Sequence, residues 1–237
     1  MILISKKLWY GISALLISAI TLYLYYINKI GYFINSNYYW YLLVSVITIF
    51  IFTVIYFWYL IKNGHKPKPA RYSQYIFGSL LFCIFVSLFI VPIKPLGAES
   101  ANYAKRGNSK KAAQKVQYIA KSPESISSLS LIDWYSLATL SPNPNQYNGQ
   151  KAIIKGFVSE VRDGGFDLSQ YQVSCCVVDA SLYTIPVKTT QKIPAKDTWL
   201  NVEGQFEIIG QKPNIKYQLN FIKSEVIATP DDPYKSK

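Results

Sequence analysis

The sequence predicts a membrane α-helical part followed by a small all-β domain. Three observations predict this. Long uncharged apolar runs fill the first 97 residues, no Asp or Glu precedes Glu99, and a period-two alternation of apolar and polar residues begins after Tyr147. A length of 237 residues permits one or two domains. The net charge of +12 could suit nucleic acid. Much of the excess flanks the apolar runs, however, where Lys and Arg set membrane orientation.

The first part, residues 1–97, is expected to hold three transmembrane helices at about 8–27, 39–61 and 75–96. Each is free of charge over its apolar stretch and long enough to cross a hydrocarbon core of roughly 30 Å. Trp9-Tyr10, Tyr38-Tyr39-Trp40-Tyr41 and Trp58-Tyr59 stand at the ends of the runs, where amphipathic rings sit half in lipid and half in water. The first run is expected to be retained rather than cleaved, because Tyr23-Leu24-Tyr25-Tyr26 offers no small-residue cleavage site. Lys6 and Lys7 ahead of the first helix, and Lys62, Lys66, Lys68 and Arg71 after the second, place the N-terminus and second loop in the cytoplasm. Three crossings then put everything after about Pro95 outside. Lys105, Arg106, Lys110 and Lys111 on that outer side run against the rule, which long translocated segments partly escape. With no ionisable residue inside the runs, the chain is not expected to be a pump or pore itself. His65 lies in the polar loop "NGHKPKPAR" and is expected to be solvated, and Cys83 is expected to be inert packing.

Residues 98–135 read as a polar linker with a short helical segment. Ser122-Pro123-Glu124 resembles a helix start, and Ile132, Trp134, Tyr135 and Leu137 are placed to pack against the next part of the chain. Residues 136–237 read as the β domain. In "WLNVEGQFEI" Leu200, Val202, Phe206 and Ile208 fall on one face, and in "IKYQLNF" Ile215, Tyr217, Leu219 and Phe221 do the same. "AIIKGFVSEV", "YQVSCCVVD" and "LYTIPVKT" are three further candidate strands. Gly156 and Gly204 sit mid-strand in similar contexts, where interior glycine signals sharp coiling. Five or so short strands with paired interior glycines look like an oligonucleotide/oligosaccharide-binding (OB-like) barrel. Outside the membrane, nucleic acid is not an expected partner of such a barrel, and fold alone does not assign function.

The stretch "SCCVVDAS" carries the candidate site, with Cys175, Cys176 and Asp179 as possible metal ligands. On a regular strand Cys175 shares a face with Tyr171, Val173 and Val177, whereas Cys176 lies opposite with Val178. Asp179 would be about 13 Å along the strand from Cys175, so one ion can meet all three only if the chain turns there. Three readings stand side by side: two small buried hydrophobes, a thiol-based site for a metal or other soft ligand, and a vicinal disulfide. No histidine stands near a nucleophile, no phosphate-cradling glycine loop is present, and no acid/base pair has a defined spacing, so an enzyme is not expected.

Several segments together resemble the YcgQ-type family. They are "YINKIGYFIN", "VPIKPLGAESANYAKRG", "YNGQKAIIKGFV", "SCCVVDAS", "DTWLNVEGQF" and "TPDDPY". In that family the cysteine motif usually reads CC-x-A-D-A, and here Val178 stands where alanine is common. The resemblance implies an accessory subunit of a two-component membrane permease, partnered by a larger polytopic permease similar to the YraQ type. The β domain would lie outside the membrane and bind a solute, an ion or the permease. The alternative is a membrane-anchored metal- or redox-sensing protein that uses Cys175 and Cys176.

Overall fold

The computed structural model describes residues 6–62, 93–101, 105–106, 129–210 and 214–235. The chain divides into two compact units, Met1–Lys94 and Pro95–Lys237.

In the first unit, helix α1 (Lys6–Tyr26) and helix α2 (Tyr39–Lys62) form an antiparallel pair. Asn28 turns the chain in the left-handed region at φ 54°, and Asn35 Oδ1 accepts the Asn37 N–H at 3.0 Å ahead of α2. Interior hydroxyls of α2 donate to their own helix: Ser45 to Tyr41, Thr48 to Val44 and Thr53 to Ile49. That back-bonding satisfies the hydroxyls without water. Phe52, Ile55 and Trp58 stand exposed along α2.

Among the described residues one helical stretch, Ser36–Lys62, is long and apolar enough to cross a membrane. This corrects the expectation of three spans. In α1 the apolar stretch among the described side chains is Gly11–Tyr26, which is shorter. The body of the expected third span lies outside the described residues, as do Cys83 and His65, and residues 93–96 at its end are irregular rather than helical.

The second unit is built on a closed five-stranded barrel. Strand β2 (Lys151–Arg162) pairs antiparallel with β3 (Gly165–Gln172), and β3 with β4 (Ser181–Lys188). On the other side of β2 lies β5 (Trp199–Ile209), followed by β6 (Lys216–Val226). Parallel pairing of β4 with β6, Val187 opposite Leu219, closes the sheet on itself. A two-residue strand β1 (Lys105–Arg106) runs parallel to the start of β4.

The interior glycines mark where the strands coil. A Cβ on Gly156 would lie 2.8 Å from the Ser169 carbonyl oxygen, and one on Gly204 would lie 2.6 Å from that of Asn220. At Gly204 the β5–β6 register also shifts. Backbone of the neighbouring strand occupies the space a side chain would need, which only glycine allows. The expected inward face of β5 is found: Leu200, Val202, Phe206 and Ile208 are all buried.

Helix α3 (Ala98–Ala101) is a single turn, and α4 (Leu131–Leu140) packs into the barrel core. Ser130 and Asp133 form a reciprocal capping box, with the Asp133 N–H donating to Ser130 Oγ at 3.2 Å and the Ser130 N–H to Asp133 Oδ2 at 3.1 Å. Trp134 is fully buried and stacks on Phe206 with ring centroids 4.7 Å apart. Tyr135 meets the Tyr183 ring edge-on at 5.1 Å. The sequence expected Ile132, Trp134 and Leu137 to pack in this way, and all three are buried. The expected start at Ser122 lies outside the described residues; the described helix starts after Ser130.

Candidate functional site

The candidate loop joins β3 to β4. "YQVSCCVVD" is strand only in its first two residues: β3 ends at Gln172, and the strand proper is "GFDLSQYQ". The alternation in Tyr171, Val173 and Cys175 imitates a strand, but the chain leaves the sheet and closes a short 3₁₀ turn over Val177–Asp179. The turn brings Asp179 back onto the start of the loop. Asp179 Oδ1 accepts the Ser174 N–H at 2.7 Å, and Oδ2 accepts the Cys175 N–H at 2.8 Å. The Asp179 N–H in turn donates to the Cys176 carbonyl at 3.1 Å.

This arrangement places the three sequence-predicted residues in one loop, which a regular strand forbids. Cys175 is exposed and Cys176 half-buried, and both thiols are free. The exposure of Cys175 corrects the reading of the pair as two small buried hydrophobes. Their sulfurs lie 3.7 Å apart, with Cys175 Sγ directed at Cys176 Sγ. Among the described residues, no three His, Cys, Asp or Glu side chains are grouped so as to hold a metal ion. Both Asp179 oxygens are already engaged by the backbone.

The electrostatics of the loop follow from this bonding. Loss of water around Asp179 pushes its carboxyl up, but hydrogen bonds from the Cys175 backbone and thiol and from the Ser174 and Cys176 N–H groups outweigh it, leaving the carboxyl below the ordinary range. The same carboxylate, with a smaller effect from Cys176, pushes the Cys175 thiol up to about 11.

What positions the loop is a second apolar cluster on the outer side of the barrel. Phe157, Tyr171, Val173, Trp199 and Tyr234 form it, and Leu96, Val177, Ala180 and Ile227 pack against it. Val173, Val177 and Ala180 pin the loop to this cluster, while Val178 at its tip is 91% exposed. Polar contacts tie the chain ends to the same place. Tyr234 OH accepts the Leu96 N–H at 2.9 Å, Tyr171 OH donates to the Gly97 carbonyl at 3.1 Å, and Asp197 Oδ1 accepts the Ala98 N–H at 2.6 Å. Burial, then the nearby Tyr234 and Asp197, pushes the Tyr171 phenol up, so it stays a donor.

The cluster collects five of the six segments that carried the family resemblance. Leu96 comes from "VPIKPLGAES", Phe157 from "AIIKGFV", Val177 from "SCCVVDAS", Trp199 from "DTWLNVEGQF" and Tyr234 from "TPDDPY". Their convergence was not legible in the sequence, because the partners are separated by up to 138 positions. Beside the cluster a cavity of about 470 Å³ opens between Ile153, Lys155, Asn201, Ile227 and Lys235. Sequence reasoning missed it, since no local pattern joins β2, β5 and the C-terminal segment.

Among curated proteins and among solved structures, none matches the chain. Residues 102–235, more than half of the 237, match the DUF1980 C-terminal domain, and the chain therefore belongs to that family.

Proposed function

We propose that the chain is a non-enzymatic accessory subunit, anchored in the membrane, of a two-component permease, and that it is of the YcgQ type. The barrel's strand order, with its parallel closing pair, is read as OB-like, an architecture used for binding at strand faces and loops. The barrel domain acts on the extracytoplasmic side, where it binds a solute, an ion or the permease itself.

One observation carries this reading. Five of the six segments on which the family resemblance rests converge on a single outer cluster, and that cluster holds an exposed loop. The long apolar helix Ser36–Lys62 supports the anchor, and the mixed apolar and lysine-lined cavity supports solute contact. Affinity purification of the full chain from gently solubilised membranes is expected to bring down a polytopic permease. A chain recovered without any membrane partner would defeat the reading.

A second reading is favoured by the 3.7 Å sulfur separation and the exposure of Cys175: a membrane-anchored metal- or redox-sensing protein. It predicts a phenotype for the double Cys175→Ser, Cys176→Ser variant even in cells that lack the permease.

A further inference from the structure

We propose that Cys175 and Cys176 form a two-thiolate site for a thiophilic monovalent cation such as Cu(I), with Asp179 as a positioning residue and not a ligand. The inference rests on the reading of the loop as a binding element and names its ligand class.

Cysteine is among the most buried residue types, and exposed thiols are open to oxidation. Here Cys175 is exposed and Cys176 half-buried on a loop held from below by Val173, Val177 and Ala180. The two sulfurs are 3.7 Å apart. Two sulfurs this close can reach one ion together, since ligands about 2.3 Å from a common ion stand at most roughly 4.6 Å apart.

The donor set then selects the ion. Zinc in a structural site takes four ligands, and hard cations take oxygen. The only nearby oxygens of the predicted set belong to Asp179, and each accepts a backbone N–H, at 2.7 and 2.8 Å. Recruiting either one would undo the turn that pairs the thiols. No third His, Cys, Asp or Glu completes a set among the described residues. A pair of soft sulfurs suits an ion content with low coordination, and thiolate selects Cu(I). Binding breaks two S–H bonds and forms two S–Cu bonds, two protons pass to water, and no oxidation state changes. The carboxylate beside the pair attracts a cation to it.

The test uses the full chain in detergent, in a C83A background that removes the third thiol. Cu(I) is titrated anaerobically against a chromophoric Cu(I) chelator. One Cu(I) per chain is expected. C175S and C176S should each weaken binding by more than about 100-fold, beyond the ~10–100-fold worth of outer-shell partners. D179N should keep the stoichiometry and a sulfur-only X-ray absorption signature. Wild-type affinity in C175S or C176S would overturn the site, and an oxygen ligand lost in D179N would overturn the role given to Asp179. A chain that binds no copper yet retains a permease would sink this inference and spare the subunit reading; copper binding without a permease partner would do the reverse.

Discussion

Trp134 tests whether α4 belongs to the barrel core. The ring is fully buried, stacked on Phe206 at 4.7 Å. Truncation to alanine removes most of a side chain that buries about 150–250 Å², worth ~4–6 kcal/mol at about 25 cal/mol per Å². Measured Trp-to-Ala changes in cores give ~3–5 kcal/mol, so that is the expected cost. For a unit of this size it corresponds to a fall in Tm of roughly 10–20 °C. Trp134→Phe should behave differently. The indole Nε1 has no acceptor among the described residues, so phenylalanine removes a buried donor whose burial costs ~1–3 kcal/mol and loses ring area of similar worth. That variant should stay within about 1 kcal/mol of the wild type. Thermal unfolding of the full chain in detergent, followed by near-ultraviolet circular dichroism, reads both. A cost below about 1 kcal/mol for Trp134→Ala would show that α4 does not plug the barrel. Equal damage from both variants would show that the indole N–H is paired.

Three further outcomes are expected. Gly204→Val should destabilise the barrel by more than about 2 kcal/mol in denaturant unfolding, because the new Cβ would lie 2.6 Å from the Asn220 carbonyl oxygen; a neutral result would mean that β5 and β6 do not approach so closely. Tyr234→Phe should cost about 1 kcal/mol and speed proteolysis near Pro95, since it takes the acceptor from the Leu96 N–H; unchanged cleavage would argue against the tie. The Cys175 thiol, pushed up to about 11 by Asp179, is protonated at neutral pH. Its alkylation by iodoacetamide should therefore be slow at pH 7 and climb ~10-fold per pH unit toward pH 11, and Asp179→Asn should move the profile to lower pH; a plateau near pH 8.5 in the wild type would refute the assignment.

The sequence carried the barrel well because period-two patterning reports which face is buried, and β5 obeyed it from Leu200 to Ile208. Gly156 and Gly204 were legible for the same local reason: each breaks an otherwise continuous strand pattern. The cysteine loop deceived the pattern, since Tyr171, Val173 and Cys175 alternate as a strand would. What ends β3 is the return of Asp179 to the N–H groups of Ser174 and Cys175, a side-chain-to-backbone competition that alternation does not encode. The start of α4 rests on the Ser130–Asp133 capping box, a four-residue signal easily lost in a serine-rich stretch. The outer cluster was invisible because it joins Leu96 to Tyr234, and only the closed barrel brings those ends together.

The claim on which function depends is that free thiols on this loop face the extracytoplasmic side. A membrane-impermeant maleimide applied to intact cells, in the C83A background, reads it directly. Labelling of the intact-cell sample that disappears when Cys175 and Cys176 are both serine is the expected result. Labelling that appears only after the membrane is permeabilised would contradict it.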